Sequence, residues 1–473
     1  MSIRLTKNAA LAVLLLVAPL AAARAWQDSG DPSGCLSSGP MLGPAEISET
    51  TVWLQTRRPC QAQVRYWLHG KPETARLSPP VRTDPAGDHI ARFELSGLEP
   101  GSRYEYEIYL DGLRIPAPAS APLSFQTQAM WRYRTDPPPF RAAIGSCAYI
   151  NDAPYDRPGE PYGGDYKIFR AIAKAQPDFM IWLGDDIYYR EADWITERNM
   201  RRRWAHDRAL PELQPLLGTV HQYAIWDDHD FGPNDSDRTF RDRTTSLRVF
   251  QDYWANPTYG LPEAPGVFTR FEWAGVDFFL LDDRYHRSPN DLPPGPDKRM
   301  YGREQLQWLK ESLAGSHAPF KIVAGGGQFW NPLNSFESLG EFPAEQQELY
   351  DFIREARIEG VVFLSGDRHH TELLKRQEPG MYPLYEFTSS PLTSGGSRIE
   401  EEANNPARVP GTWVTDGIRN FGLLEVSGKE EAQVLTLRTL DADGKELWKV
   451  QIKEGELRFP RISPQTSSAS TSR

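Results

Sequence analysis

Six short apolar runs end in polar or acidic residues, and this repetition constrains the fold more than any other feature of the chain. They read FRAAIGSC (140–147), DFMIWLGDD (178–186), QYAIWDDHD (222–230), DFFLLDDR (277–284), FKIVAGGGQ (320–328) and GVVFLSGDRHH (360–370). Short continuous apolar runs of this kind mark strands buried on both faces. Between them lie stretches of helical periodicity, DYKIFRAIAKAQ, REQLQWLKESLAG and PAEQQELYDFIREARIEG. Strand–helix alternation predicts an α/β layout. Such sheets carry their chemistry at the carboxyl ends of strands, which is where the acids, the histidines and one cysteine of these runs fall.

The flanks read differently. TVWLQTR, AQVRYWLHG, HIARFELSGL and RYEYEIYLDG alternate apolar and polar residues with turns between them, so residues 38–128 are expected to form an all-β sandwich. Tyr104, Tyr106 and Ile108 would face one side. The stretch LSGLEPGSRYEYEIYLDG resembles the end of a fibronectin type III or immunoglobulin-like sandwich. The prolines of TDPPPF (135–140) mark a boundary, and the catalytic unit is expected over 135–458. FGLLEVSG, AQVLTLRTLDADG and ELWKVQIK return to β near the end and would close that unit. Residues 459–473 read as a disordered tail.

Arg4 and Lys7, the apolar run AALAVLLLVAPLAAA and the small-x-small ARA at 23–25 read as a signal peptide over 1–25, cut between Ala25 and Trp26. Residues 26–37 read as a linker. A periplasmic or secreted protein follows, with no transmembrane segment in the mature chain. Export permits a disulfide; Cys35 and Cys60 either pair or stay free, and Cys147 stands alone. The formal charge of −11 argues against nucleic acid or an anionic membrane as partner. No protein partner is implied and a monomer is expected. The run Arg201–Arg203 reads as a solvated helix face, with attraction of phosphate as the competing reading.

Four strand ends hold the reactive side chains. GSC carries Cys147; GDDIYY carries Asp185 and Tyr188; WDDHD carries Asp228 and His229; SGDRHH carries Asp367, His369 and His370. One Gly-Asp after a strand is usually a turn, and one His-His pair is usually a surface feature. Four such ends from separate parts of the chain point to one converging site. Thiolate and phenolate donors favour a trivalent or soft transition metal, and a carboxylate-rich pocket favours a hard cation.

The order GSC, GDDIYY, WDDHD, SGDRHH resembles the calcineurin-like metallophosphoesterases, and within them the alkaline phosphatase D branch. Purple acid phosphatases have a similar arrangement. The resemblance spans roughly 38–455. It implies a metallophosphoesterase β-sandwich flanked by helices in four αββα layers, preceded by the all-β domain. It implies an exported, metal-dependent phosphoric ester hydrolase acting on phosphomonoesters or phosphodiesters, small or polymeric, through a hydroxide held by two cations. Teichoic-acid-like or lipid diesters are the alternative substrates, and an inactive secreted binding protein is the remote one.

Residue by residue, the resemblance makes Asp185 the bridging carboxylate. Cys147, Tyr188 and His369 become the iron ligands, Asp228 and Asp367 the ligands of a harder second cation, and His229 the proton donor. Gln328 stands where the wider superfamily has a further histidine. Asn234 and Asp235 could reach a metal or substrate. Arg284 and Arg368 are candidates for holding phosphate oxygens, with pairing to Asp282 and Asp283 as the competing reading for Arg284. Fe3+ with Ca2+ is the expected pair, with zinc, manganese or magnesium as alternatives.

Overall fold

The computed structural model describes residues 34–117, 122–334, 336–397 and 399–460. The expected signal peptide, most of the linker and the tail beyond 460 lie outside them.

Two sheets face each other, with helices on their outer sides. The first runs Glu446–Lys453, Val434–Asp441, Asn420–Ser427, Phe140–Gly145, Phe179–Leu183, His221–Ile225, Leu36–Ala45, Glu49–Thr56, Ile90–Ser96. The second runs Thr269–Trp273, Val276–Leu280, Lys321–Ala324, Val361–Ser365, Leu384–Thr388, Glu372–Arg376. The apolar runs form the parallel centres of both sheets, and the strands from Phe179, His221, Val276, Lys321 and Val361 are buried end to end. Aromatic rings interlock between the layers: Phe179 lies 5.5 Å from Phe271, and Tyr223 stacks on Phe271 at 3.7 Å.

Parallel strands discharge their loops on one rim. Two glycines let those loops meet. A Cβ on Gly184, whose φ is +87°, would lie 2.7 Å from the Asp227 Cβ, and one on Gly366 would lie 2.7 Å from the Leu183 carbonyl. Gly366 N–H donates to Gly326 O at 2.7 Å, and Ala148 N–H donates to Asp185 O at 2.8 Å.

The N-terminal region is joined to this body through a common wall. Met41, Ala45 and Trp53 pack into the large core, whereas Leu42, Val52 and Leu54 pack into a second core with Tyr104, Tyr106 and Ile108. Strand Leu36–Ala45 pairs in parallel with His221–Ile225 at Leu42 and His221. It begins inside the stretch read as a linker; its glycines and prolines hide it in the sequence. Gly43 is required there, because a Cβ would sit 2.9 Å from the Ala255 Cβ. Buried His221 spans the joint, reaching Gly43 O at 2.8 Å and Gln126 O at 3.0 Å. Cys35 and Cys60 are joined as a disulfide.

Helices occupy Lys167–Ala175 and Arg303–Gly315 as the periodicity predicts. The third, Pro343–Glu355, stops short of the expected 360 because Arg357 turns left-handed (φ +54°) and the chain folds back. The solvated-face reading of Arg201–Arg203 is overturned. Arg203 is fully buried against Asp193 at 2.8 Å, and Arg202 and Arg201 are held by Asp193 and Asp252 at 2.7 and 2.6 Å. Near the end, Phe459 is buried against Tyr382 at 5.2 Å, so order extends past the expected start of the tail.

Candidate metal centre

The rim gathers residues from all four predicted strand ends. Cys147 Sγ, an Asp185 carboxylate oxygen and a His369 ring nitrogen lie within 4.8 Å of one another, and Asp185, Asp228 and His229 form a second such group sharing Asp185. Cys147 Sγ stands 3.6 Å from Asp185 Oδ2, and Tyr188 Oη stands 3.2 Å from His369 Nε2. One sulfur, one imidazole and one shared carboxylate thus stand together, with the phenol against the imidazole.

The backbone is strained where these side chains are presented. Cys147, Asp185, Asp367 and His369 have φ of +62°, +53°, +60° and +54°. Left-handed backbone costs a non-glycine residue roughly 1–2 kcal/mol, and such strain accumulates at functional sites. It turns each side chain back over the rim immediately after its strand.

The electrostatics call for a cation. Burial pushes the Asp185 carboxyl well above its usual range, and neighbouring Asp228 and Asp367 push it further. Burial does the same to the Cys147 thiol and the Tyr188 phenol, with Asp185 adding to both. Burial also raises Asp367, to about 6, against the pull of Arg368. Asp228 is the exception: burial raises it, but His229 and Arg284 bring it down to about 2. Protons or cations must balance such crowding, and the donor set suits a metal pair.

Histidine orientation is explicit. Gly395 O lies 2.8 Å from His369 Nδ1, which keeps the proton there and leaves the Nε2 lone pair facing Tyr188; burial lowers the ring to about 4. His229 opens the short helix Asp228–Phe231, whose entry is fastened by a capping box between Asp227 and Asp230. Its N–H donates to Asp185 Oδ1 at 3.3 Å, its ring lies 4.2 Å from that of Tyr188, and its Nε2 is 4.0 Å from Asp228 Oδ2. Its Nδ1 is buried without a hydrogen-bond partner.

Other expected residues are placed differently. Arg284 is fully buried, so it has no surface for a substrate. Its Nε donates to Asp227 Oδ1 at 2.5 Å and its Nη2 pairs with Glu337 at 2.6 Å. Asp283 stands off at 3.9 Å, and Asp282 instead accepts from Trp226, Arg284 N–H and Tyr285 N–H. Gln328 is turned away from the cluster: its Nε2 donates to Glu372 at 2.9 Å and to Thr388 at 3.0 Å. Arg368 donates to Glu402 at 2.9 Å and stands 3.8 Å from Asp367 Oδ2. The Asp367 carboxylate interacts with Asp185 and Asp228 through charge but joins neither three-atom group. Asn234 is exposed; half-buried Asp235 donates its N–H to Asp228 Oδ2 at 2.8 Å. His370 faces Glu372 and Glu402 at 3.4 and 3.7 Å, carboxylates already neutralised by Arg408 and Arg368. Sequence reading missed Glu337, which lies in a loop without motif and holds both Arg284 and Arg287.

Comparison with known proteins adds the family context. Residues 143–433 match the PhoD-like phosphatase family, and residues 33–128 match a domain of unknown function. The chain is 24% identical over 374 residues to alkaline phosphatase D of Bacillus subtilis (strain 168), covering 68% of this chain and 61% of that protein. It therefore spans less than two thirds of that relative's length. A solved structure of PhoD superposes with a TM-score of 0.73 at 17% identity, over 92% of this chain and 94% of the other. A purple acid phosphatase from yellow lupin (Lupinus luteus) seeds superposes with a TM-score of 0.64 at 13% identity, over 90% and 77%. Both structures are similar in fold.

Proposed function

The chain belongs to the PhoD-like phosphatase family, and from that premise we propose that it is an exported, metal-dependent phosphoric ester hydrolase. One observation carries the reading: Asp185 is common to two clusters, Cys147–Asp185–His369 and Asp185–Asp228–His229, so that one carboxylate can serve two cations with His229 standing beside the second. The unit acting on substrate is residues 135–458, with 38–128 as a sandwich that shares one wall with it. The leader at 1–25 would direct it to the periplasm or outside the cell, and among the described residues no helix is long and apolar enough to cross a membrane.

Cys147, Tyr188 and His369, with Asp185 bridging, suit ferric iron; Asp185, Asp228 and Asp367 suit a harder cation, calcium first. Such a pair would neutralise phosphate oxygens and lower the pKa of water. The protein's own part is orientation and proton transfer. Burial lowers the pKa of His229 and Asp228 offsets only part of that, so the role rests on position: with Asp228 4.0 Å from Nε2, that nitrogen is placed to carry the proton passed to the departing alkoxide. Tyr188 packs against that ring and limits its rotation. Arg368, held by Glu402, keeps one guanidinium near Asp367, where it can meet a phosphate oxygen. Arg284 acts as a buried strut for Asp227.

The test is hydrolysis of p-nitrophenyl phosphate and bis-p-nitrophenyl phosphate by purified protein supplied with iron and calcium, alongside elemental analysis of unsupplemented protein. Iron with calcium, and turnover abolished in Asp185→Ala, is expected. No metal-dependent turnover of either substrate would end the reading, and two zinc ions would end the unlike-metal assignment.

A further inference from the structure

The loop between strand Phe140–Gly145 and helix Lys167–Ala175 passes over the rim, and it is built to hold one tyrosine in place. In its YGG stretch, a Cβ on Gly163 would lie 2.5 Å from Tyr149 O, and one on Gly164 would lie 2.6 Å from Arg419 Nε. At 163, where the obstacle is backbone, only glycine permits that course. Asn151 clasps the turn from both sides: its Nδ2 donates to Gly163 O at 3.0 Å, and its Oδ1 accepts from Gly163 N–H at 2.9 Å. Gly164 N–H donates to Thr393 O at 2.9 Å.

Tyr162 is the residue so placed. Its ring lies on the Gly395 backbone, where an added Cβ would come within 2.7 Å of it. It packs edge-on to Tyr149 at 5.0 Å, and Tyr149 packs against Tyr188 at 5.1 Å. Arg190 covers Tyr149 at 3.9 Å and pairs with Asp156 of the same loop at 2.8 Å. Tyr162 is 43% exposed, yet its hydroxyl is directed at an imidazole: Oη lies 2.9 Å from His369 Nδ1. The nitrogen that Gly395 O meets therefore has a second oxygen partner. A carbonyl alone fixes which nitrogen carries the proton; a second oxygen at the same N–H further restricts the ring's rotation. Hydrogen bonds to the far nitrogen of a ligand histidine set the orientation and basicity of the near one.

We propose that Tyr162 is a positioning residue for the metal centre, holding His369 so that Nε2 faces Cys147, Asp185 and Tyr188. This inference rests on the metal-dependent reading above. It concerns only how His369 is held, and Tyr162 reaches the reacting atoms through that ring.

Tyr162→Phe removes the hydroxyl and keeps the ring packing. With iron alone as probe, competition against EDTA is expected to show a 10–100-fold loss of affinity in the variant. With both metals loaded, kcat for p-nitrophenyl phosphate is expected to fall by a similar factor while KM stays within about twofold, because substrate binding is not touched. The metal-free variant should melt with the metal-free wild type. Gly395→Ala, which pushes the ring away but leaves the hydroxyl, should reproduce both losses. Wild-type iron affinity and kcat in Tyr162→Phe would overturn the proposal, as would a raised KM with unchanged kcat, which would make Tyr162 a substrate contact. Absence of metal binding and turnover in the wild type would instead remove the underlying reading.

Discussion

Replacing Arg284 by methionine separates a strut from a substrate clamp. The guanidinium is fully buried and bonded to Asp227 and Glu337, with Asp228 at 3.8 Å. Removing it leaves Glu337 with Arg287 at 3.1 Å, but takes from Asp227, whose Oδ2 already lacks a partner and whose carboxyl burial pushes well above its usual range, the cation that opposes that push. Breaking a buried pair from one side costs about 3–5 kcal/mol. An unfolding entropy near 2.1 cal/mol/K per residue over 473 residues makes 1 kcal/mol worth roughly one degree, so the melting temperature should drop by about 3–5 °C. Adding Asp227→Asn should recover more than half of the loss, because the orphaned charge is gone. The assay is differential scanning fluorimetry on the metal-free proteins at one scan rate, with kcat and KM measured on the loaded ones. A melting temperature within a degree of wild type, together with a KM raised tenfold or more, would refute the strut and return Arg284 to the phosphate.

Other outcomes follow from the same geometry. His229→Asn should lower kcat by about 10²–10⁴ for an alkyl phosphate and much less for p-nitrophenyl phosphate, whose leaving group needs no proton; equal losses would remove His229 as the donor. If Tyr188 binds iron as phenolate, a visible charge-transfer band should vanish in Tyr188→Phe while the fold, followed by circular dichroism, is retained. Burial raises Glu386 from 4.5 to about 7, against donation from Phe329 N–H, Trp330 N–H and Ser365. Its protonated form therefore adds stability that is complete below about pH 4.5 and lost as pH rises toward 7, of order 3 kcal/mol at 1.36 kcal/mol per unit. Urea titrations of wild type and Glu386→Gln across pH 4.5–7.5 should converge at the acid end and differ in slope above it; parallel curves would contradict the assignment. Because Cys147, Tyr188 and Asp185 are held protonated by burial and mutual repulsion, metal loading should release protons, measurable by calorimetry in buffers of different ionisation enthalpy.

The apolar runs and their polar ends were legible because period and position carry them: a strand buried on both faces must be continuous, and its ligand must follow at once. That is why Cys147, Asp185, Asp228 and His369 could be read from the chain and are found together. Gln328 and Arg284 are turned away from the rim for a common reason. Both follow strands as Asp185 and Asp228 do, but a long polar side chain can turn either toward the rim or into the core, and only the neighbours, Glu372 for one and Asp227 with Glu337 for the other, decide which. Glu337 and Tyr162 lie in loops whose course depends on distant partners such as Arg287 and Gly395, so no local pattern marks them. Arg203 looked solvated because its shorter charge partners, Asp193 and Asp152, lie outside its helix, and only Asp207 at i+4 lies within it.

The wall common to the two cores bears on how the chain comes to exist at all. Gly39 N–H finds Gln214 only 175 residues later, and Trp53 Nε1 finds Asp252 O 199 residues later. Strands Leu36–Ala45 and Glu49–Thr56 leave the ribosome first, yet one side of each has nothing to bury against until the chain past Tyr253 has followed. Contacts of such range close slowly, and an uncovered edge with apolar faces invites pairing with other chains. A fragment cut at the proline boundary would carry the converse defect, with His221–Ile225 left as a naked edge. Expression and engineering therefore have to treat the two regions as one object, held unfolded or shielded until the last of it is made.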